Sequence, residues 1–123
     1  LLTFFITLCV FIISPISLAQ ADTVIKKEYT KQDIKIIIGY YAYKHNVSAS
    51  TMDKVVKCES GYNPNAVGDN GKSFGLSQIH NPSHPTITKE QALDPKFALN
   101  FMGENISKGR GNMWTCYRKI NSV

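Results

Sequence analysis

The sequence lacks the length of a multidomain enzyme and the glycine and proline excess of a fibrous chain. Its 123 residues suffice for one hydrophobic core, and its eight glycines and five prolines include no repeat and no low-complexity stretch. With 43% hydrophobic and only 19% charged residues, the composition is also not that of a disordered chain. The sequence therefore predicts one folded domain.

Charge is absent from the first 21 residues. The segment begins LLTFFITLCVFII and, after Pro15, ends in the small-residue pattern A-x-A. This order predicts a signal peptide over residues 1–21 and places the mature domain at residues 22–123. An uncleaved membrane anchor is the alternative, since about 20 apolar residues can span a bilayer. Because the segment has neither an initiator methionine nor a basic start, we expect it to be truncated.

Acidic residues are in deficit, and all charged residues follow the apolar segment. Fourteen Lys and Arg against nine Asp and Glu give a net charge of +5. A basic domain favours polyanionic surroundings such as cell wall, nucleic acid or anionic membrane, without choosing among them. The basic residues are scattered rather than consecutive, so a solvated positive surface also explains the charge.

Cysteine is scarce, and only Cys58 and Cys116 lie outside the apolar N-terminal segment. An exported protein meets an oxidising compartment, where an even pair of cysteines usually closes. We therefore predict one disulfide, which would contribute about 4 kcal/mol in the chain-entropy model. Two buried free thiols are the alternative.

Apolar periodicity predicts a helix over residues 30–47, with its inward residues three and four apart: Ile34, Ile37, Ile38, Tyr41 and Ala42. A second helix is expected to start at Ser50, with Asp53 in capping-box position, and to stop at Gly61.

The stretch YNPNAVGDNGKS then predicts turns or a short, irregular hairpin. Thr88 with Gln91, and Asp94 with Pro95, have the pattern of two further helix starts. A last short helix is expected around Cys116.

Glu59 is the residue whose position points to chemistry. It lies one turn after Val55 and Val56 and two turns after Met52, so the helical period places its carboxyl inward at the helix end. Desolvation and the negative end of the helix dipole both disfavour the ionised form, so we expect a raised pKa. A carboxyl that stays protonated near neutral pH suits a general acid for glycosidic cleavage. A partly exposed glutamate near Lys57 is the alternative.

Residues 58–80, CESGYNPNAVGDNGKSFGLSQIH, resemble the lysozyme-like superfamily. The features of the superfamily are Glu59-Ser60, then N-P-N-A, then G-L-x-Q-I over residues 75–79, and the N-P-N-A-V part is similar to soluble lytic transglycosylases. The G-D-N-G stretch leading into F-G-L, with His84 downstream, is similar to goose-type lysozymes. Several elements in this order make the match specific, and it extends more loosely over most of the chain after residue 21.

The resemblance implies a small, mostly helical α+β domain of lysozyme-like fold with a short hairpin near residues 63–76. It implies that Glu59 protonates the bridging oxygen of the β-1,4 bond between N-acetylmuramic acid and N-acetylglucosamine in peptidoglycan. Ser60 and Gln78 match positions that line the family's cleft. Their structural alternatives are a helix-end cap for Ser60 and a hydrogen bond into the turn for Gln78. Ser77 stands where the family usually carries Met.

Asp69 is a possible second carboxylate, since it matches the aspartate of the goose-type G-D-x-G stretch. An inverting hydrolase would use it to activate water at roughly 6.5 to 9.5 Å from the acid. The alternative is that Asp69-Asn70-Gly71 is simply a turn. His80 stands where goose-type enzymes often have another aspartate. We therefore favour a lytic transglycosylase that forms 1,6-anhydromuramic ends over a hydrolytic lysozyme.

Tyr62, Trp114 and Tyr117 are candidates to stack on sugar rings, with core packing as the alternative for each. His80 and His84 are four residues apart, but Pro82 breaks the helix that would align them. We therefore expect no metal site, and the resemblance implies no cofactor.

The expected partner is the peptidoglycan glycan strand, bound by a monomer that is secreted or held in the periplasm or cell envelope. We expect no nucleic-acid partner, and membrane contact only through an uncleaved N-terminal segment. A non-catalytic glycan-binding domain is the alternative, because the predicted mature chain is short for the family.

Overall fold

The computed structural model describes residues 27–122, so the predicted signal peptide lies outside the described part. Within it, five α-helices surround a three-stranded sheet, and the predicted mostly helical α+β class is confirmed. The elements are α1 (Lys31–His45), α2 (Ala49–Ser60), β1 (Val67–Gly68), β2 (Ser73–Phe74), β3 (Ile79–His80), α3 (Lys89–Leu93), α4 (Pro95–Ser107) and α5 (Thr115–Asn121). Short 3-10 turns occupy Asn81–Ser83 and Gly111–Met113.

Helix α1 begins at a complete capping box. The Thr30 hydroxyl accepts from the Asp33 amide, and the Asp33 carboxylate accepts from the Thr30 amide. Ile34, Ile38 and Ala42 repeat every four residues and are buried. The amphipathic helix predicted over residues 30–47 is therefore confirmed.

Helix α2 starts earlier than predicted. Ser48 is its N-cap and accepts from the Thr51 amide, so the predicted cap at Ser50 is wrong, and Asp53 lies within the helix. Residues 48 and 50 are both serine, and the one that caps is Ser48, which directly precedes the first helical turn. The predicted stop is confirmed, since Gly61 ends α2 with a positive φ of 59°.

The sheet is an antiparallel meander in the order β1-β2-β3. Val67 pairs with Phe74, and Phe74 pairs with Ile79. Residues 69–72 join β1 to β2, and Asp69 and Asn70 both have positive φ, 50° and 54°, as the central residues of a type I′ turn require. The hairpin region predicted near residues 63–76 therefore gains a third strand.

The core lies where α1 packs on α2 and α4, and where α3 contacts α4 and β2. Its fully buried side chains come from helices and from the chain beside the sheet: Ile34, Met52, Val55, Val56, Leu76, Leu99 and Met102. Thr88 caps α3 in a box with Gln91, and Asp94 caps α4 before Pro95, as predicted. None of the helices within residues 27–122 has the length and apolarity needed to cross a membrane.

Candidate active site

Glu59 lies in the last turn of α2 with its side chain half-buried. The backbone N–H of Cys116 donates to Glu59 Oε1 over 3.1 Å. No other hydrogen bond within residues 27–122 involves this carboxyl group. Because Oε1 is occupied as an acceptor, Oε2 is the oxygen that carries the proton when Glu59 is neutral.

The surroundings of Glu59 raise the pKa of its carboxyl. Burial is the largest cause, because it disfavours the charged form. The Cys116 N–H opposes it by stabilising the carboxylate. The charge of Asp69 raises the pKa further, while Lys119 and Arg118 lower it. The net shift is upward, in the direction expected from the sequence, and it favours a proton donor.

A disulfide joins Cys58 to Cys116, as predicted, with a Cα–Cα distance of 5.9 Å. It connects the last turn of α2 to the first turn of α5. The element that supplies the amide to Glu59 is therefore bonded covalently to the residue just before Glu59.

Asp69 lies on the turn between β1 and β2, and its carboxylate accepts a hydrogen bond from the Ser73 hydroxyl. Ser73 is buried, so this bond holds the Asp69 side chain against β2. This geometry agrees with the alternative that Asp69-Asn70-Gly71 is simply a turn. Asp69 nevertheless lies close enough to act electrostatically on Glu59.

Gln78 holds the sheet region together. Its Nε2 donates to the carbonyls of Ala66 and Gly75, over 3.3 and 3.1 Å. Its backbone has a positive φ of 44°, which places the side chain across β1. The structural alternative for Gln78, a hydrogen bond into the turn, is therefore present.

Trp114 is only 5% exposed, and its Nε1–H donates to the Ser77 carbonyl over 2.8 Å. Trp114 and Gln78 line the same small cleft, of about 230 Å³. Two predicted site residues thus meet there. The rest of the lining comes from Ile79, His80, Ser83, His84, Phe101 and Met113.

A family model described as the transglycosylase SLT domain matches residues 36–122, from within α1 through α5. The chain belongs to this family. Members of the family are lytic transglycosylases that cleave the glycosidic bonds of peptidoglycan, so this SLT domain is an enzyme of that type. Comparison with curated proteins and with solved structures found no significant match.

In the SLT domain, the Ser60 hydroxyl donates a hydrogen bond to the Val56 carbonyl of the same helix, α2, over 3.0 Å. Tyr62 is 9% exposed, and its hydroxyl donates to Asp53 over 3.0 Å. Lys35 pairs with Asp53 at 3.1 Å, so Tyr62 belongs to a polar cluster between α1 and α2. Neither Ser60 nor Tyr62 hydrogen-bonds Glu59.

The site residues that sequence reasoning missed are the Cys116 amide and the cleft lining from Phe101 and Met113, whereas His84 was considered only in the goose-type resemblance and for a metal site. Residue types do not indicate which backbone amide will donate to a side chain. The adjacency of Cys58 and Glu59 was nevertheless a signal, because a disulfide from Cys58 brings its partner cysteine close to Glu59. Phe101 lies on the inward face of α4, and Met113 is the neighbour of Trp114. Burial lowers the pKa of His84, with a smaller contribution from His80, so the cleft holds a neutral imidazole near neutral pH.

A larger groove of the SLT domain lies elsewhere. It has a volume of about 920 Å³ and runs between residues 27–29, the loop at residues 63–65 and the junction of α3 with α4. It contains none of the predicted site residues. No group of three potential ligands within residues 27–122 could hold a metal ion.

Proposed function

We propose that this SLT domain is a secreted lytic transglycosylase that cleaves the β-1,4 bond between N-acetylmuramic acid and N-acetylglucosamine and leaves 1,6-anhydromuramic ends. The carboxyl of Glu59 carries the proposal. It is half-buried, it has a raised pKa, and the Cys116 amide orients it with Oε2 left to donate.

Glu59 acts first as an acid and then as a base. Its Oε2 proton moves to the bridging oxygen as the C1–O bond of the muramic residue breaks, which releases the neutral N-acetylglucosamine end. The Glu59 carboxylate then takes the proton of the C6 hydroxyl of the same muramic residue while that oxygen bonds to C1. The carboxyl group ends protonated, and no water is consumed.

The two environmental effects on Glu59 suit these two steps. Burial favours the protonated form that the first step needs, whereas the Cys116 N–H stabilises the carboxylate that exists between the steps. A hydrogen bond to a charged acceptor is stronger than one to a neutral acceptor. The amide therefore contributes more to the charged intermediate than to the resting acid.

A hydrolase would need a second carboxylate to deprotonate water, and this chain has a poorly suited one. Asp69 is engaged by Ser73, and His80 hydrogen-bonds Ser83 over 2.8 Å. The intramolecular attack needs no such base and gains from proximity. A hydrolytic lysozyme is the second candidate because the charge of Asp69 acts on Glu59.

We assign substrate contacts to Gln78 and Trp114, because both line the cleft of about 230 Å³. Trp114 is an apolar member of the cleft lining and Gln78 is a polar one. Ser60 and Tyr62 hydrogen-bond residues of α2, the helix that carries Glu59.

We also propose that residues 1–21 direct export and that residues 22–123 are the mature enzyme. A disulfide beside the acid supports this, since disulfides persist in oxidising compartments. Export of the full chain followed by N-terminal sequencing tests the cleavage site, and retention of the apolar segment would contradict it.

The deciding experiment digests purified peptidoglycan with residues 22–123 and identifies the fragments by mass spectrometry. Products one water lighter than reducing ends are expected. Glu59→Gln should lower the rate by about a hundredfold or more, while Asp69→Asn keeps most of it. Glu90→Gln on exposed α3 is the matched control and should leave the rate unchanged.

Reducing ends that disappear in Asp69→Asn would establish the hydrolytic lysozyme instead. Glycan binding without any cleavage would establish a non-catalytic domain. Full activity in Glu59→Gln would contradict the assignment of the acid.

A further inference from the structure

Cys58 and Cys116 are connected to the acid in two ways. Cys58 precedes Glu59 in the chain, and its sulfur is bonded to Cys116. The Cys116 N–H in turn donates to Glu59 Oε1 over 3.1 Å. The acid and its donor thus belong to one small ring of covalent bonds closed by one hydrogen bond.

Few other bonds hold the Cys116 amide at this place. Helix α5 has seven residues, which is too short to be stable by itself. The Arg118 side chain donates hydrogen bonds to the Asn112 carbonyl and the Thr115 hydroxyl, and Trp114 donates one to the Ser77 carbonyl. None of these three hydrogen bonds reaches α2. Within residues 27–122, the Cys116–Glu59 bond is the only hydrogen bond between α2 and α5.

Apolar contacts still attach α5 to the domain without the disulfide. Cys116 is buried, and Tyr117 and Ile120 pack against the core. Such packing is non-directional, so it keeps the helix in place without setting the position of one amide to within a fraction of an ångström. A hydrogen bond requires that accuracy, since its useful range covers only about 2.7 to 3.2 Å.

We propose that the Cys58–Cys116 disulfide positions Glu59 for the reaction, by holding the Cys116 amide against Oε1 so that the proton on Oε2 stays directed at the substrate. The inference rests on the proposed role of Glu59 as the acid. Breaking the disulfide lowers the rate of the folded enzyme. Cys58 and Cys116 are positioning residues that act through Glu59.

The disulfide can be broken in the intact protein, because Cys58 is exposed. A dithiol such as dithiothreitol transfers two electrons and two protons to the Sγ–Sγ bond. The products are the two cysteine thiols and the cyclic disulfide of the reagent. Serine at both positions gives the same result without a reagent, and the backbone amide of residue 116 remains.

The test compares the oxidised enzyme with the variant Cys58→Ser/Cys116→Ser on purified peptidoglycan. The rate at the plateau of the pH profile should fall about tenfold or more, as expected for a misplaced reacting group. The alkaline limb should also move to higher pH, since without the amide the carboxylate is less stabilised and the pKa of Glu59 rises further. Far-ultraviolet circular dichroism at the assay temperature confirms that the variant is folded.

Two controls separate positioning from stability. Ile38→Ala removes buried packing from α1 and leaves both cysteines in place, so it should lower Tm without moving the alkaline limb. Dithiothreitol should slow the wild-type enzyme and leave the serine variant as it was. If the serine variant unfolds at the assay temperature, the comparison is made in sucrose, which favours the folded state.

An unchanged plateau rate and limb in the folded serine variant would overturn the proposal and leave the disulfide with a purely stabilising role. The activity of Glu59→Gln in the oxidised protein distinguishes failure of the proposed function from failure of the positioning role. If this variant is active, the proposed function fails. If it is inactive while the serine variant is normal, only the positioning role fails.

Discussion

Gln78 lies directly over Gly68. Its Oε1 is 2.2 Å from the point where a Cβ on residue 68 would stand, which no real Cβ tolerates. The same side chain donates to the carbonyls of Ala66 and Gly75. A Cβ at position 68 would therefore force the Gln78 side chain to move, whereas the φ of residue 68 does not itself favour glycine.

Gly68→Ala should displace the Gln78 amide from both carbonyls. Losing side-chain hydrogen bonds of this kind lowers the free energy of unfolding by about 1–3 kcal/mol, measured by thermal or denaturant unfolding. Glycan binding should weaken with it, because Gln78 lines the cleft. Gly39→Ala is the matched control: no atom lies within 4 Å of its added Cβ, and in helix α1 it should stabilise by about 0.5–1 kcal/mol. Equal effects of the two substitutions would contradict the close-contact argument.

Glu59→Gln should raise Tm at neutral pH. The folded state raises the pKa of Glu59, so above that pKa ionisation costs the folded state more than the unfolded state. Glutamine removes the cost, and the advantage should vanish as the pH falls below the ordinary glutamate value, where both states are neutral. Tm measured against pH checks the sign, with Glu90→Gln as the exposed control. A wild-type protein that is more stable than the variant at neutral pH would show that Arg118 and Lys119 outweigh burial.

Tyr62→Phe should lower stability and leave cleavage intact. It removes only the hydroxyl that donates to Asp53, a bond worth about 1 kcal/mol, while the ring stays beside Lys31 and Lys35. Urea unfolding gives the stability and peptidoglycan digestion gives the rate. A normal stability with a lowered rate would mean that the hydroxyl contacts substrate instead.

Trp114→Phe should destabilise the domain by about 1–3 kcal/mol, because the buried Ser77 carbonyl loses its donor. The edge contact with Phe101, at 6.1 Å between ring centroids, also weakens. Tm measures the loss. An unchanged Tm together with lost glycan binding would mean that the indole contacts the sugar and does not stabilise the fold.

The candidate acid could be found in the sequence because its position depends on local structure. Helical spacing from Met52 and Val55 places Glu59 inward, and Met52 and Val55 are both buried in the structure. The disulfide was predicted from the expected export and the cysteine number, and the starts of α3 and α4 followed from local capping. The start of α2 did not, because Ser48 and Ser50 are the same residue type and local capping rules do not choose between them.

The sequence by itself determined the family, the helical class, the inward position of Glu59 and the cysteine pair, since short-range spacing and composition govern these features. Only the tertiary structure decided what Glu59 touches. The Cys116 amide reaches it from a helix more than 50 residues away in the chain. The engagement of Asp69 by Ser73 and of Tyr62 by Asp53 was likewise decided by packing. Hydrogen-bond partners depend on three-dimensional proximity, which residue type and spacing do not specify.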